Sequence, residues 1–295
     1  MCIWKSAGSV AATCLAVALL AACGSRSLTS RTRFTLQNTG SDTLVNLALA
    51  WAERYIEIHP DVGISVTGGG SGTGIASLIN GTIDIANASR EMSKEEIALA
   101  RSQGITPMRF TVALDAIAVV VNPRNPVSDL TVNQISDLYT RRITRWTQVG
   151  GDDRPVVLLS RESNSGTYVY FLEQVVRRGK AEGTELFCPE TLLMPSSEGI
   201  TTEIRQNPNA IGYDGLGYVT SDMKKVGISR GDGMPFVLPS VKSVRDGSYP
   251  VSRPLYMYTA GPPSGETKAY LDWVMHDGQS LVNTLGFVAL PGSGQ

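Results

Sequence analysis

Hydrophobic positions along the chain switch between a period of two and a period near 3.6, and the switches fall at polar turns. Phe34-Thr35-Leu36-Gln37 predicts a short strand, followed by the turn Asn38-Thr39-Gly40-Ser41-Asp42-Thr43. Behind it Leu44, Leu47, Ala48, Trp51, Tyr55 and Ile58 stand at helical spacing, with Pro60 just beyond the end. Residues 63–67 predict a second strand, the turn Gly68-Gly69-Gly70-Ser71-Gly72-Thr73-Gly74 follows, and Ile75, Leu78 and Ile79 resume a helical pattern. Residues 83–88 alternate as a strand ending at Ser89-Arg90, and Ser93 with Glu96 forms a capping box for a helix that stops at Gly104. Strand and helix in this alternation imply a parallel sheet covered by helices. Ligands in such sheets bind beyond the carboxyl ends of the strands, where these turns lie.

The second half repeats the pattern after a long apolar strand over residues 112–121, read as a crossing into another domain and ended by Pro123 and Pro126. Thr131 and Gln134 cap a helix to Tyr139, residues 143–151 form a tryptophan-bearing connection, and residues 156–160 predict a buried strand. The third strand-to-helix turn, Arg161-Glu162-Ser163-Asn164-Ser165-Gly166-Thr167, leads into Tyr168, Phe171, Leu172, Val175 and Val176 on one helical face that closes at Gly179. A helix over 197–206 ends before Pro208 and a strand follows at 210–213. The glycine-rich stretch 231–247 predicts a loop, residues 249–259 a strand returning to the first domain, 269–275 a helix, and 281–290 a last helix and strand.

The glycine turn is hard to explain as packing. A turn stripped of side chains at the start of a helix lets backbone N–H groups and the positive end of the helix dipole approach an oxyanion. Ser41 or Asp42 is a natural N-cap in the first turn, and Ser165, Gly166 and Thr167 repeat the chemistry in the third. If the domains face one another, the three helix N-termini, each equivalent to roughly half a positive charge, would converge with Arg161 and Arg90 to balance a small dianion. Guanidinium can grip two oxygens in parallel. Enzymatic readings fare worse. His59 and His276 are the only histidines, no serine elbow is present, the glycine run lacks a P-loop lysine, and no spacing suggests a metal site.

The 295 residues suffice for one large domain or two medium ones, and 42% hydrophobic with 18% charged residues is ordinary for a globular protein. A formal charge of −1 argues against nucleic acid as a partner, so any anion is held by local design. The first 22 residues, with Lys5 before the apolar run 10–22, read as a signal peptide. Leu20-Ala21-Ala22-Cys23 resembles a lipobox, which implies lipidation at Cys23 and a polar tether over 23–32. Of the remaining cysteines, Cys2 and Cys14 would leave with the signal, and Cys188 would stand alone, without a disulfide partner. Processing would leave 25 basic against 27 acidic side chains.

Four ordered motifs, Gly40-Ser41-Asp42-Thr43-Leu44, Gly69-Gly70-Ser71-Gly72-Thr73-Gly74, Ile83-Asp84-Ile85-Ala86-Asn87-Ala88-Ser89-Arg90 and Arg161-Glu162-Ser163-Asn164-Ser165-Gly166-Thr167, resemble the phosphate-binding proteins of bacterial phosphate ABC transporters. The resemblance runs from about Phe34 to Leu290. It implies an α/β, type II periplasmic-binding-protein fold, with two lobes, two connecting strands and phosphate in the cleft; the lobes would be 33–115 with 249–295, and 116–248. It also implies ligand contacts from Ser41, Asp42, Thr43 and Ser71 in one lobe and from Arg161, Ser165, Gly166 and Thr167 in the other. Some members carry an aspartate where this chain has Arg90, and there it accepts the proton of the bound phosphate; Asp42 is the acid best placed to take that role. The expectation is a monomeric, lipid-anchored receptor facing the periplasm or cell exterior, needing no cofactor, that hands phosphate to a permease and ATPase complex. A receptor for sulfate or molybdate, a phosphate sensor, and a secreted phosphatase are the alternatives.

Overall fold

Three parallel strands open the fold. β1 (Phe34–Gly40) lies between β2 (Val62–Thr67) and β3 (Ile85–Ala88), linked through α1 (Asp42–Ile58) and α2 (Ser71–Ile79). α3 (Lys94–Ser102) follows, with the reciprocal capping bonds between Ser93 and Glu96 in place. The apolar face read from the spacing in α1 is the face it buries as far as Tyr55: Leu44, Leu47, Trp51 and Tyr55 pack with Leu36, Val112, Leu255 and Tyr270, whereas Ile58 in the last turn is exposed. This is the computed structural model of the chain, and it describes residues 34–180 and 182–291; the predicted signal, Cys23 and the tether lie outside the described residues.

β4 (Met108–Val121) starts four residues before the predicted apolar run. Its outer end is exposed, and there pairing rather than burial makes the strand, so hydrophobicity did not mark it. Next come β5 (Asp129–Thr131), α4 (Val132–Tyr139), β6 (Val157–Arg161) and α5 (Gly166–Phe171), whose helix widens into a π-turn over Leu172–Val176. β7 (Leu192–Met194), α6 (Ser197–Gln206), β8 (Ala210–Gly215), β9 (Lys224–Lys225), β10 (Gly227–Ser229), α7 (Val241–Arg245), β11 (Ser252–Thr259) and α8 (Gly265–Met275) complete the order.

The strands run β2-β1-β3-β11-β4-β8-β6-β7, with β9 also on β4 and β10 paired to β5. β4 is the element common to both ends of this arrangement. Residues 108–116 pair antiparallel with β11, and residues 117–121 pair antiparallel with β8. Separate cores sit on either side of that change of partner. One packs Val119, Leu130, Tyr139, Phe171 and Tyr213, and the other packs Leu36, Leu44, Trp51, Val112 and Leu255. The fold is thus α/β and two-lobed, as expected.

Two regions depart from the sequence reading. The stretch 231–247 holds the short helix α7, started by Ser240 and Ser243, whose side chains bond each other's backbone N–H. Flanking glycines hid this capping signal. The expected helix and strand over 281–290 are instead 3-10 turns at Asp277–Leu281 and Asn283–Leu285, then a bridge between Val288 and Leu114. Gly286, at φ 82°, breaks the chain between turn and bridge.

Gly74 is a packing requirement. A Cβ there would lie 2.6 Å from both Gly40 Cα and the Thr39 carbonyl oxygen, so α2 rests directly on the end of β1. Gly74→Ala is expected to destabilise the chain by about 1–3 kcal/mol through overpacking, lowering Tm by several degrees in a calorimetric scan. Gly231→Ala, where nothing lies within 4 Å, should leave Tm unchanged.

Candidate functional site

The carboxyl ends of β1, β2 and β6 deliver the three turns to one place. Gly40 (φ 142°), Gly69 (φ 114°) and Gly70 (φ 92°) adopt conformations that L side chains avoid, and Gly70 N–H donates to the Gly40 carbonyl at 2.9 Å. The first two turns are thereby joined backbone to backbone. The third closes on them from the other lobe: Gly72 N–H donates to the Asn164 carbonyl at 2.9 Å, and Asn164 Nδ2 donates to the Gly69 carbonyl at 2.9 Å. Gly166 faces Ser71 and Ser89, with a Cβ at 166 falling 2.5 Å from both hydroxyls. Only glycine lets the start of α5 come this close.

Ser41 takes the N-cap position of α1 but makes no side-chain capping bond, and Asp42 is the first helical residue. Asp42 is therefore not the cap. Its Oδ1 accepts from Gly69 N–H at 3.0 Å and its Oδ2 from Arg161 Nη2 at 2.6 Å. The Arg161 side chain is 1% exposed, and it also donates to the carbonyls of Met194 and Pro195 and, through Nη1, to Ser197 Oγ at 3.2 Å. Four of its five N–H groups are thus placed by protein acceptors, which holds the guanidinium rigid but leaves no free fork for a two-point grip. Thr43 and Thr167, one at the start of α1 and one in α5, bring their hydroxyls to 3.0 Å. Ser71 begins α2, where its Oγ accepts from Ser89 N–H at 3.0 Å and lies 3.2 Å from Ser89 Oγ. Ser165 caps α5 by accepting from Thr167 N–H at 3.2 Å.

Arg90 stands apart from this group. Its Nη1 and Nη2 each donate to Glu96 at 2.7 Å, and these bonds raise its pKa. The capping glutamate of α3 thus also anchors the arginine. Ser41, Asp42, Thr43, Ser71, Arg161, Ser165, Gly166 and Thr167 come together, and Arg90 lies at their border, near Gly72.

Several residues beneath the site went unnoticed in the sequence. Arg253 and Asp115, cross-strand partners on β11 and β4, form a buried ion pair at 3.2 Å, and Arg253 Nη2 donates to Thr167 Oγ1 at 2.8 Å and Thr43 Oγ1 at 3.3 Å. Burial raises the Asp115 carboxyl and lowers the Arg253 guanidinium, each restrained by the other's charge. Asp214 accepts from Ser197 Oγ and Gly215 N–H, and burial pushes its pKa up to about 6. The available signal was charge inside apolar strands, at Asp115 in 112–121 and Arg253 in 249–259. Chemically, the assembly offers hydroxyls, backbone N–H groups, helix N-termini and an arginine against one carboxylate. Among the described residues no cluster of His, Cys, Asp and Glu could hold a metal, and His59 and His276 are exposed.

Residues 26–277 match the model of the PBP superfamily domain. The chain is 33% identical over 274 residues to the phosphate-binding protein PstS of Pseudomonas aeruginosa, covering 87% of this chain and 83% of that protein. It is 31% identical over 255 residues to PstS of Bacillus subtilis, covering 85% and 79%. A crystal structure with bound phosphate, of a candidate phosphate ABC transporter substrate-binding protein from Clostridium perfringens, superposes with a TM-score of 0.76 at 32% identity, covering 87% of this chain and 99% of the other. The chain belongs to the PBP superfamily and, within it, to the family of PstS phosphate-binding proteins.

Proposed function

We propose that the chain binds inorganic phosphate where the three turns meet and delivers it to the permease of a phosphate ABC transporter. The observation that carries the reading is the meeting of hydroxyl and glycine turns from both lobes around Asp42 and Arg161. Ser41, Thr43, Ser71, Ser165 and Thr167 would supply hydroxyls, Gly166 a backbone N–H, and Arg161 its remaining N–H and its charge. Arg90 would contribute at longer range as a charge. We take the lobes as 33–115 with 249–295, and 116–248; Leu36, Leu44, Trp51 and Leu255 of the first and Leu130, Tyr139, Phe171 and Tyr213 of the second pack in separate cores, while Tyr249, Val251 and Val288 join the second core at the crossing. A hydrolase reading finds no support in the histidines, which are exposed and engaged elsewhere: His59 stacks on Tyr55, and His276 Nδ1 lies 2.7 Å from the Asp272 carbonyl oxygen.

Selectivity would come from Asp42. An ionised carboxylate only accepts hydrogen bonds, and its two oxygens have capacity beyond the bonds from Gly69 and Arg161. Monohydrogen phosphate offers an O–H to it, whereas sulfate at neutral pH offers none and is repelled. Asp42 is not the helix cap, so Asp42→Asn probes the charge without removing a cap.

We further propose that Cys23 is lipidated after removal of residues 1–22, tethering the receptor to the membrane on the outer face. No helix among the described residues is long and apolar enough to cross a membrane.

Two outcomes are expected. In equilibrium dialysis with labelled phosphate and competing sulfate, Asp42→Asn should lower the phosphate-to-sulfate preference about tenfold or more, the scale of one charge-assisted hydrogen bond at ~1.5–3 kcal/mol; an unchanged ratio in the folded variant would remove Asp42 from selectivity. Cys23→Ala should shift the protein from the membrane to the soluble fraction and abolish acyl labelling, and unchanged fractionation with no label in the wild type would refute the anchor.

A further inference from the structure

Arg253 lies on β11 directly opposite Asp115 on β4, the strand that changes partners between the lobes. Their side chains are 1% and 0% exposed. The guanidinium sits over the Tyr170 ring at 5.6 Å, and its Nη1 donates to the Ser89 carbonyl at 2.9 Å. Its Nη2 has three acceptors within reach: Thr167 Oγ1 at 2.8 Å, Asp115 Oδ2 at 3.2 Å and Thr43 Oγ1 at 3.3 Å. One guanidinium therefore touches the first turn, the end of β3, the third turn and the opposing crossing strand.

Arginine can only donate. A threonine hydroxyl has one proton to give, so an oxygen that accepts from Arg253 must direct that proton elsewhere. Thr43 and Thr167 stand 3.0 Å apart, and one hydroxyl can donate to the other only if the second points its own proton out of the pair. Asp115 would impose the opposite polarity. It is an acceptor, its Oδ1 takes the Leu216 N–H, and without Arg253 its other oxygen would draw hydroxyl protons inward and add a negative charge below the site. Packing alone does not call for such a pair, because apolar residues of similar volume fill a buried strand contact at least as well. Arg253 also has a buried Nε without a partner, a further penalty that strand packing does not explain.

We infer that Arg253 is a positioning residue: neutralised and held by Asp115, it orients the Thr43 and Thr167 hydroxyls as donors toward an anion lying between the first and third turns. The inference rests on the phosphate reading above and adds a layer that does not touch the ligand. It also makes the crossing strands part of the binding machinery, because the same side chain is in contact with turns from both lobes.

The test is a cycle of phosphate titrations on the full mature chain, each variant first checked for a wild-type thermal transition. The uncharged pair Asp115→Asn with Arg253→Gln removes both buried charges together, so no unpaired charge remains. It should bind phosphate at least tenfold more weakly. Thr167→Val should also weaken binding about tenfold, and combining it with the uncharged pair should add less than threefold further, because both changes remove the same oriented donor. Arg253→Lys retains the charge but replaces the planar fork with a single point, and it should lose at least threefold. Wild-type affinity in either folded position-253 variant, or losses that multiply when combined with Thr167→Val, would overturn the proposal. Failure of the underlying reading looks different: the wild-type chain would not bind phosphate, or Thr167→Val would bind it unchanged.

Discussion

Charges withdrawn from water where β4 changes partners between the lobes constrain everything around them. Asp115, Asp214, Arg161 and Arg253 are buried, and Asp42 is nearly so, in a chain whose overall charge is close to zero. Desolvation is offset only if each charge has a partner and each remaining polar atom a hydrogen bond. The fold meets most of that demand with two ion pairs on different elements. Asp42–Arg161 joins the start of α1 to the end of β6 across the cleft, and Asp115–Arg253 joins the two antiparallel strands beneath it. Positions of the turns, the close approach of Gly166 to Ser71 and Ser89, and the registry of β4 on β11 all have to satisfy these pairs at once.

With the function proposed here, that arrangement would let a chain without excess positive charge hold a dianion. Long-range attraction is absent, so the favourable terms are local: helix N-termini, hydroxyl donors and an arginine already fixed by Met194, Pro195 and Ser197. A guanidinium immobilised in advance loses little entropy on binding. On the function proposed here, the Asp42 carboxylate would oppose an anion in general but favour one carrying a proton, so selectivity and affinity would arise from the same contact.

Much of the framework was legible because it follows from periodicity. The apolar stripe of α1, the capping boxes at Ser93 and Thr131, and the three strand-to-helix turns are local patterns, and each is realised. Short elements such as β5, β7, β9 and β10 were not seen, since two or three residues carry no period and are held by pairing to distant strands. Within the site, the hydroxyls and glycines were visible as motifs. The direction of the charges was not. Arg90 and Arg161 look alike in sequence, yet Glu96, six residues from Arg90, takes one guanidinium, and Asp42, 119 residues from Arg161, takes the other. Arg253 and Asp115 matter through a register between strands 138 residues apart, which no local pattern encodes.

The central claim is that these turns form a phosphate site, and isothermal titration of the wild-type mature chain with phosphate, run beside sulfate at the same neutral pH, tests it most directly. The account predicts a saturable one-to-one isotherm for phosphate and far weaker heat for sulfate. No phosphate isotherm, or equal affinity for both ions, would contradict it.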